Sequence, residues 1–132
     1  MKKNLIVLSV LSIVLLASAA TAFGQHSTRI VFARGATSKV VSGTLNGWHD
    51  KRNFVIRVRA GQTLSTVQVG NAHDITIFIA APNGQDTDDS DASCNNRRKV
   101  TPTVAGNYHI QVVECQKADR WRGRFRFRVT AR

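Results

Sequence analysis

The sequence predicts an all-β domain, an antiparallel β-sandwich of about seven to eight strands. Three observations carry this expectation. Apolar residues recur at every second position, turn residues punctuate the chain about every ten residues, and no stretch repeats its apolar residues with a helical period of 3.6.

The alternation can be followed along the chain. Ile30 and Phe32 alternate with polar neighbours. Phe54, Ile56 and Val58 share one face of a strand, with Arg57 and Arg59 on the other. Ile75, Ile77 and Ile79 form a second apolar row, and Tyr108, Ile110 and Val112 a third. The last strand is the clearest: Phe125, Phe127 and Val129 alternate with Arg124, Arg126 and Arg128. Side chains on a strand point to opposite faces in turn, so each row describes a sheet with one face in a core and one in water. Arg34-Gly35, Asn46-Gly47, Ala60-Gly61, Gly70-Asn71, Pro82-Asn83-Gly84 and Ala105-Gly106-Asn107 separate the runs as turns. The longest loops are expected over 82–96 and 116–123.

The first residues follow a different rule. Lys2 and Lys3 precede an apolar run from Leu5 to Leu16, shorter than the roughly 20 residues a membrane-spanning helix needs. Small residues in A-x-A spacing follow, at Ala17-Ser18-Ala19 and Ala20-Thr21-Ala22. This order is that of a secretory signal peptide, here residues 1–22 with cleavage between 19 and 25. Residues 23–132 then form a single domain, with no later apolar run able to anchor it in a membrane. The expected address is the periplasm. There Cys94 and Cys115 are expected to form a disulfide.

With Lys2 and Lys3 removed, 17 basic residues against 8 acidic ones leave a net charge of +9. Six arginines fall between Arg120 and Arg132, and Arg124, Arg126 and Arg128 share one strand face. Such a face attracts anionic partners, among them cell-wall polymers and lipid head groups. Nucleic acid is disfavoured by the exported address and by the lack of interleaved aromatics for base stacking.

Nothing points to catalysis. The chain has no Gly-rich phosphate loop, no zinc-ligand spacing and no nucleophile elbow around Ser42-Gly43. His26, His49, His73 and His109 are scattered singly. The acidic run Asp86-Thr87-Asp88-Asp89-Ser90-Asp91 could offer oxygens to Ca²⁺, but Asp91 stands where an EF-hand needs glycine and Arg97 where it needs glutamate. It reads as a solvated loop beside Arg97, Arg98 and Lys99, and neither metal nor cofactor is expected. Arg120-Trp121-Arg122 before the last strand has the composition of an interaction hot spot. Trp48, in Asn46-Gly47-Trp48-His49, is a second candidate tip aromatic, equally compatible with packing at a sandwich end.

At these residues the chain resembles a known family. Ile30 to Ser38 followed by Ser42-Gly43-Thr44-Leu45, then Phe54, Gly61-Gln62, Val104 to Tyr108, the loop Arg120 to Arg122 and Phe127 are similar, in order, to the periplasmic inhibitors of g-type lysozyme. The resemblance spans nearly the whole mature chain and extends to accessory domains at the C-terminus of secreted peptidases. It implies a non-catalytic β-sandwich whose partner is a g-type lysozyme, blocked by loops that enter the glycan cleft. Arg120 matches the family's arginine in the last loop, with Trp121 and Arg122 as neighbours. The Cys94/Cys115 pair, the acidic run and Trp48 depart from the family pattern. Two other readings stay open: a non-inhibitory secreted accessory domain, and an envelope protein that binds polyanions through Arg124, Arg126 and Arg128.

Overall fold

The structure is a computed structural model and describes residues 26–70, 73–87 and 94–132. The expected signal peptide and most of the acidic run lie outside these residues. The described residues form eight strands: β1 (Ser27–Ile30), β2 (Ser38–Asn46), β3 (Lys51–Val58), β4 (Leu64–Gln68), β5 (Ile75–Ala80), β6 (Arg97–Val100), β7 (Gly106–Glu114) and β8 (Arg122–Ala131). They form two four-stranded sheets, ordered β1-β3-β7-β5 and β2-β8-β4-β6. The expected sandwich is present, and among the described residues it contains no helix. One pairing departs from the antiparallel expectation: β1 runs parallel to β3, with Thr28 opposite Phe54 and Ile30 opposite Ile56. A crossover connection makes this possible, because β2 leaves β1 for the other sheet before the chain returns as β3.

The alternation sets the faces. On β8, Phe125, Phe127 and Val129 are buried, while Arg124, Arg126 and Arg128 are exposed. Across the sandwich they meet Phe54, Ile56 and Val58 of β3 and Tyr108, Ile110 and Val112 of β7. The centre is aromatic. Phe54 meets Phe127 edge-on at 5.3 Å and Phe125 at 6.4 Å between ring centroids, an arrangement that suits the ring quadrupoles. Tyr108 is buried with its hydroxyl accepting a hydrogen bond from Val104 N at 3.1 Å, so the phenol brings no unpaired polar group into the core.

Gly43 on edge strand β2 lies opposite Phe125, whose ring occupies the space a side chain would need. A Cβ there would come within 2.6 Å of Phe125 Cζ. Gly43→Ala is therefore expected to destabilise the fold by about 1–3 kcal/mol through overpacking. Adding Phe125→Leu should make the combined loss smaller than the sum of the two singles, because the clash partner is gone. Urea unfolding of the three variants checks this, and strict additivity would contradict it.

Candidate functional site

Four chain segments converge at one end of the sandwich. They are the β2–β3 loop over residues 47–50, the β4–β5 connection at His73 and Asp74, the β7–β8 loop over 115–121, and Cys94 ahead of β6.

The β2–β3 loop is shaped by Gly47 and Asp50. Gly47 has φ of +94°, a left-handed conformation that glycine adopts without a side-chain clash. Asp50 closes the loop. Its N–H donates to Gly47 O at 3.1 Å, and its carboxylate accepts from Asn46 N at 3.0 Å and Lys51 N at 2.9 Å and pairs with Arg52. Trp48 projects from this loop and is 38% exposed.

Glu114, at the end of β7, ties this loop to the next. It is fully buried. Its Oε1 accepts from Gly47 N at 2.7 Å and its Oε2 from Trp121 N at 3.4 Å. Gly47 N also donates to Trp121 O at 3.1 Å. The two loops are thus joined through backbone groups, and the buried carboxyl group gives Trp121 N an acceptor inside the protein while sharing Gly47 N with Trp121 O. Sequence reasoning did not single out Glu114. The signal was there: the buried face Tyr108, Ile110, Val112 continues, two residues on, to 114.

The structure corrects the picture of Trp121. Expected as an exposed tip aromatic, it is only 7% exposed and belongs to the hydrophobic core cluster. His73 stacks on it at 5.0 Å between centroids and an interplanar angle of 18°. Its two neighbours remain exposed, because Arg120 and Arg122 flank it and point away from the packed ring. The Arg120 guanidinium lies over Trp48, 5.4 Å from the ring centroid, a cation–π contact between two loops. Asn46, Gly47, Arg120, Trp121 and Arg122 line a shallow cleft of about 320 Å³. Of the four tip residues expected from sequence, Trp48, Arg120 and Arg122 present surface, and Trp121 is the base they stand on.

The expected disulfide is formed. Cys94 and Cys115 are bridged across a sequence separation of 21. Cys115 N donates to Asp74 O at 3.1 Å and Cys94 N to Thr76 Oγ1 at 2.8 Å. The bridge therefore fastens the segment ahead of β6 to the base of the Arg120 loop. Arg124, Arg126 and Arg128 stand apart from this end, on the outer face of β8.

A larger groove, about 510 Å³, lies on the outer face of the other sheet, lined in part by Ser27, Asn53, Phe78, Asp86, His109 and Gln111. Gln111 and Asn53 hydrogen-bond each other there at 3.0 Å. Size favours this groove, but the clustered cations and the exposed indole favour the Arg120 cleft as the candidate site. Among the described residues no three His, Cys, Asp or Glu side chains gather as a metal site, and no helix is long and apolar enough to cross a membrane.

No protein-family model matches the chain, and no curated protein matches it in sequence. Solved structures do. PliG of Aeromonas hydrophila, a periplasmic lysozyme inhibitor of g-type lysozyme, superposes with a TM-score of 0.65 at 18% identity, over 80% of this chain and 96% of that one. PliG of Salmonella Typhimurium, described in the same words, gives 0.58 at 15% identity, over 80% and 97%. The pre-peptidase C-terminal domain of a Bacillus anthracis collagenase gives 0.46 at 12% identity, over 82% and 96%. The likeness to the two PliG structures is one of fold, and it agrees with the resemblance drawn from the sequence.

Proposed function

We propose that the mature chain is a non-catalytic periplasmic inhibitor of g-type lysozyme that acts by occupying the enzyme's glycan cleft. The fold shared with the PliG structures supports the class of function. The observation that carries the site is the Arg120 guanidinium held over Trp48 at the end of the sandwich. The Glu114 hydrogen bonds and the buried Trp121 beneath it fix the loops that present it.

In this reading Arg120 enters a cleft whose acidic groups otherwise act on the glycan. A guanidinium facing a carboxylate with water excluded makes a short, directional, two-point contact. Contact with the Trp48 ring reduces the side-chain freedom Arg120 would lose on binding, so less of the interaction is spent on ordering it. Arg122 and the exposed edge of Trp48 supply neighbouring contacts. The N-terminal segment supplies export, which places the domain where cell wall and lysozyme meet.

Arg120→Ala is expected to weaken inhibition at least tenfold in a cell-wall turbidity assay, with an unchanged circular-dichroism spectrum. Unchanged inhibition would rule out Arg120 as the inserted residue.

A further inference from the structure

The outer face of the β2-β8-β4-β6 sheet carries a second arrangement of charge. The strand register places more cations there than the alternation on β8 alone indicated. Arg122, Arg124, Arg126 and Arg128 form one row along β8, all exposed. Arg97 and Lys99 form a second row on β6, also exposed. The rows share one face. Val67 of β4 lies opposite both Arg128 and Arg97, and Ser65 opposite both Thr130 and Lys99. The intervening Arg98 instead turns inward, buried, with its Nε donating to Ile77 O at 2.7 Å.

No acidic residue stands at an outward position of these four strands. On β2 the residues opposite Arg128, Arg126 and Arg124 are Val40, Ser42 and Thr44. Short neutral side chains therefore flank the arginines, and among the described residues these four strands carry no carboxylate. Alternate residues on a strand are about 6.8 Å apart, and β8 and β6, with β4 between them, are about 9.6 Å apart. The rows overlap at one level, where Arg97 stands across Val67 from Arg128, and Lys99 continues the second row level with Thr130, so the cations form an L-shaped array about 27 Å long and about 10 Å wide at the Arg128 end. A single extended polymer meets one row of such an array; a layer of phosphate head groups meets both. Guanidinium groups also bind phosphate oxygens in pairs.

We propose that this face is a docking surface for an anionic phospholipid layer. It is separate from the Arg120 cleft, so the chain can rest on a charged membrane while its loop end stays free. Arg122 lies where the two surfaces approach each other and is left out of the test.

The test is co-sedimentation of the full mature protein with vesicles. Vesicles with 30 mol% phosphatidylglycerol should bind it, and pure phosphatidylcholine vesicles should not. Binding should be lost in 0.5 M salt, where charges are screened within about 4 Å. The combined variant R124Q/R126Q/R128Q should bind on the order of a hundredfold more weakly, while R124K/R126K/R128K should retain most binding. R97Q/K99Q, on the other row, should show an intermediate loss, which keeps the test decisive if the triple glutamine variant folds poorly. Lysozyme inhibition by R124Q/R126Q/R128Q should equal wild type, so failure of this proposal is distinguishable from failure of the inhibitor reading. Absence of wild-type binding to phosphatidylglycerol vesicles would overturn the proposal. So would undiminished binding by both glutamine variants, or binding of soluble polyphosphate without binding of vesicles.

Discussion

Glu114→Ala is expected to lower stability by about 3 kcal/mol and to weaken inhibition more than loss of any one exposed tip residue. Glu114 is completely buried and accepts hydrogen bonds from the two loops that carry Trp48 and Arg120. Removing it leaves Trp121 N buried without that acceptor, at about 1–3 kcal/mol, and opens a cavity where the side chain stood. Gly47 N retains Trp121 O, so the loops stay in contact but lose one of their ties. Tm should fall on the order of 15 °C for a domain of this size. Glu114→Gln separates shape from bonding. It keeps the volume and one acceptor but turns an NH₂ donor towards one of two N–H groups, so roughly half the loss is expected. Thermal unfolding and the turbidity assay, run on both variants, read the two effects. An alanine variant within about 0.5 kcal/mol of wild type would show that Glu114 does not hold the site together.

Loss of the Cys94–Cys115 bridge is expected to be of similar size. The bridge closes a loop with a sequence separation of 21, for which the chain-entropy model gives about 3 kcal/mol. Its location adds a local effect. Cys115 immediately follows Glu114, and Cys94 is also tied to β5 through Thr76. The double variant C94A/C115A should unfold at a urea concentration lower by roughly 2 M, given an ordinary m-value for a domain of this size. Reductant should shift the wild type in the same direction and leave the double variant unmoved. Equal midpoints for wild type and double variant would show that the bridge constrains nothing that matters to folding.

Much of the fold was legible because the longest strands state their faces without ambiguity. On β8 every second residue from Arg124 to Val129 is either a buried hydrophobe or an exposed arginine. β3, β5 and β7 each carry three apolar residues at period two, all buried. The shorter strands were harder to read because their inward positions are not conventionally apolar. β2 faces the core with Val41, Gly43 and Leu45, and Phe125 fills the gap in the middle of that row. β4 turns Thr66 inward and β6 turns Arg98 inward, so neither shows an apolar alternation. The parallel partnership of β1 with β3 has no local signature, since it depends on where a distant segment lands.

The candidate site was legible in composition but not in orientation. Arg120, Trp121 and Arg122 are adjacent in sequence, yet packing by His73 and contact with Glu114 separate their roles. Trp121 is held inside and the two arginines remain outside. The contact between Arg120 and Trp48 joins residues 72 positions apart, and no local pattern announces it. The basic face was partly visible, as three arginines on β8, but its second row required the β4–β6 register.

The most direct measurement is lysis of cell walls by g-, c- and i-type lysozymes, each with and without the purified mature protein. Lysis by g-type lysozyme should fall as the protein approaches a one-to-one ratio, and Arg120→Ala should need at least tenfold more protein for the same effect. Unimpeded lysis by all three enzymes would contradict the inhibitor reading and leave the chain a β-sandwich with a different role.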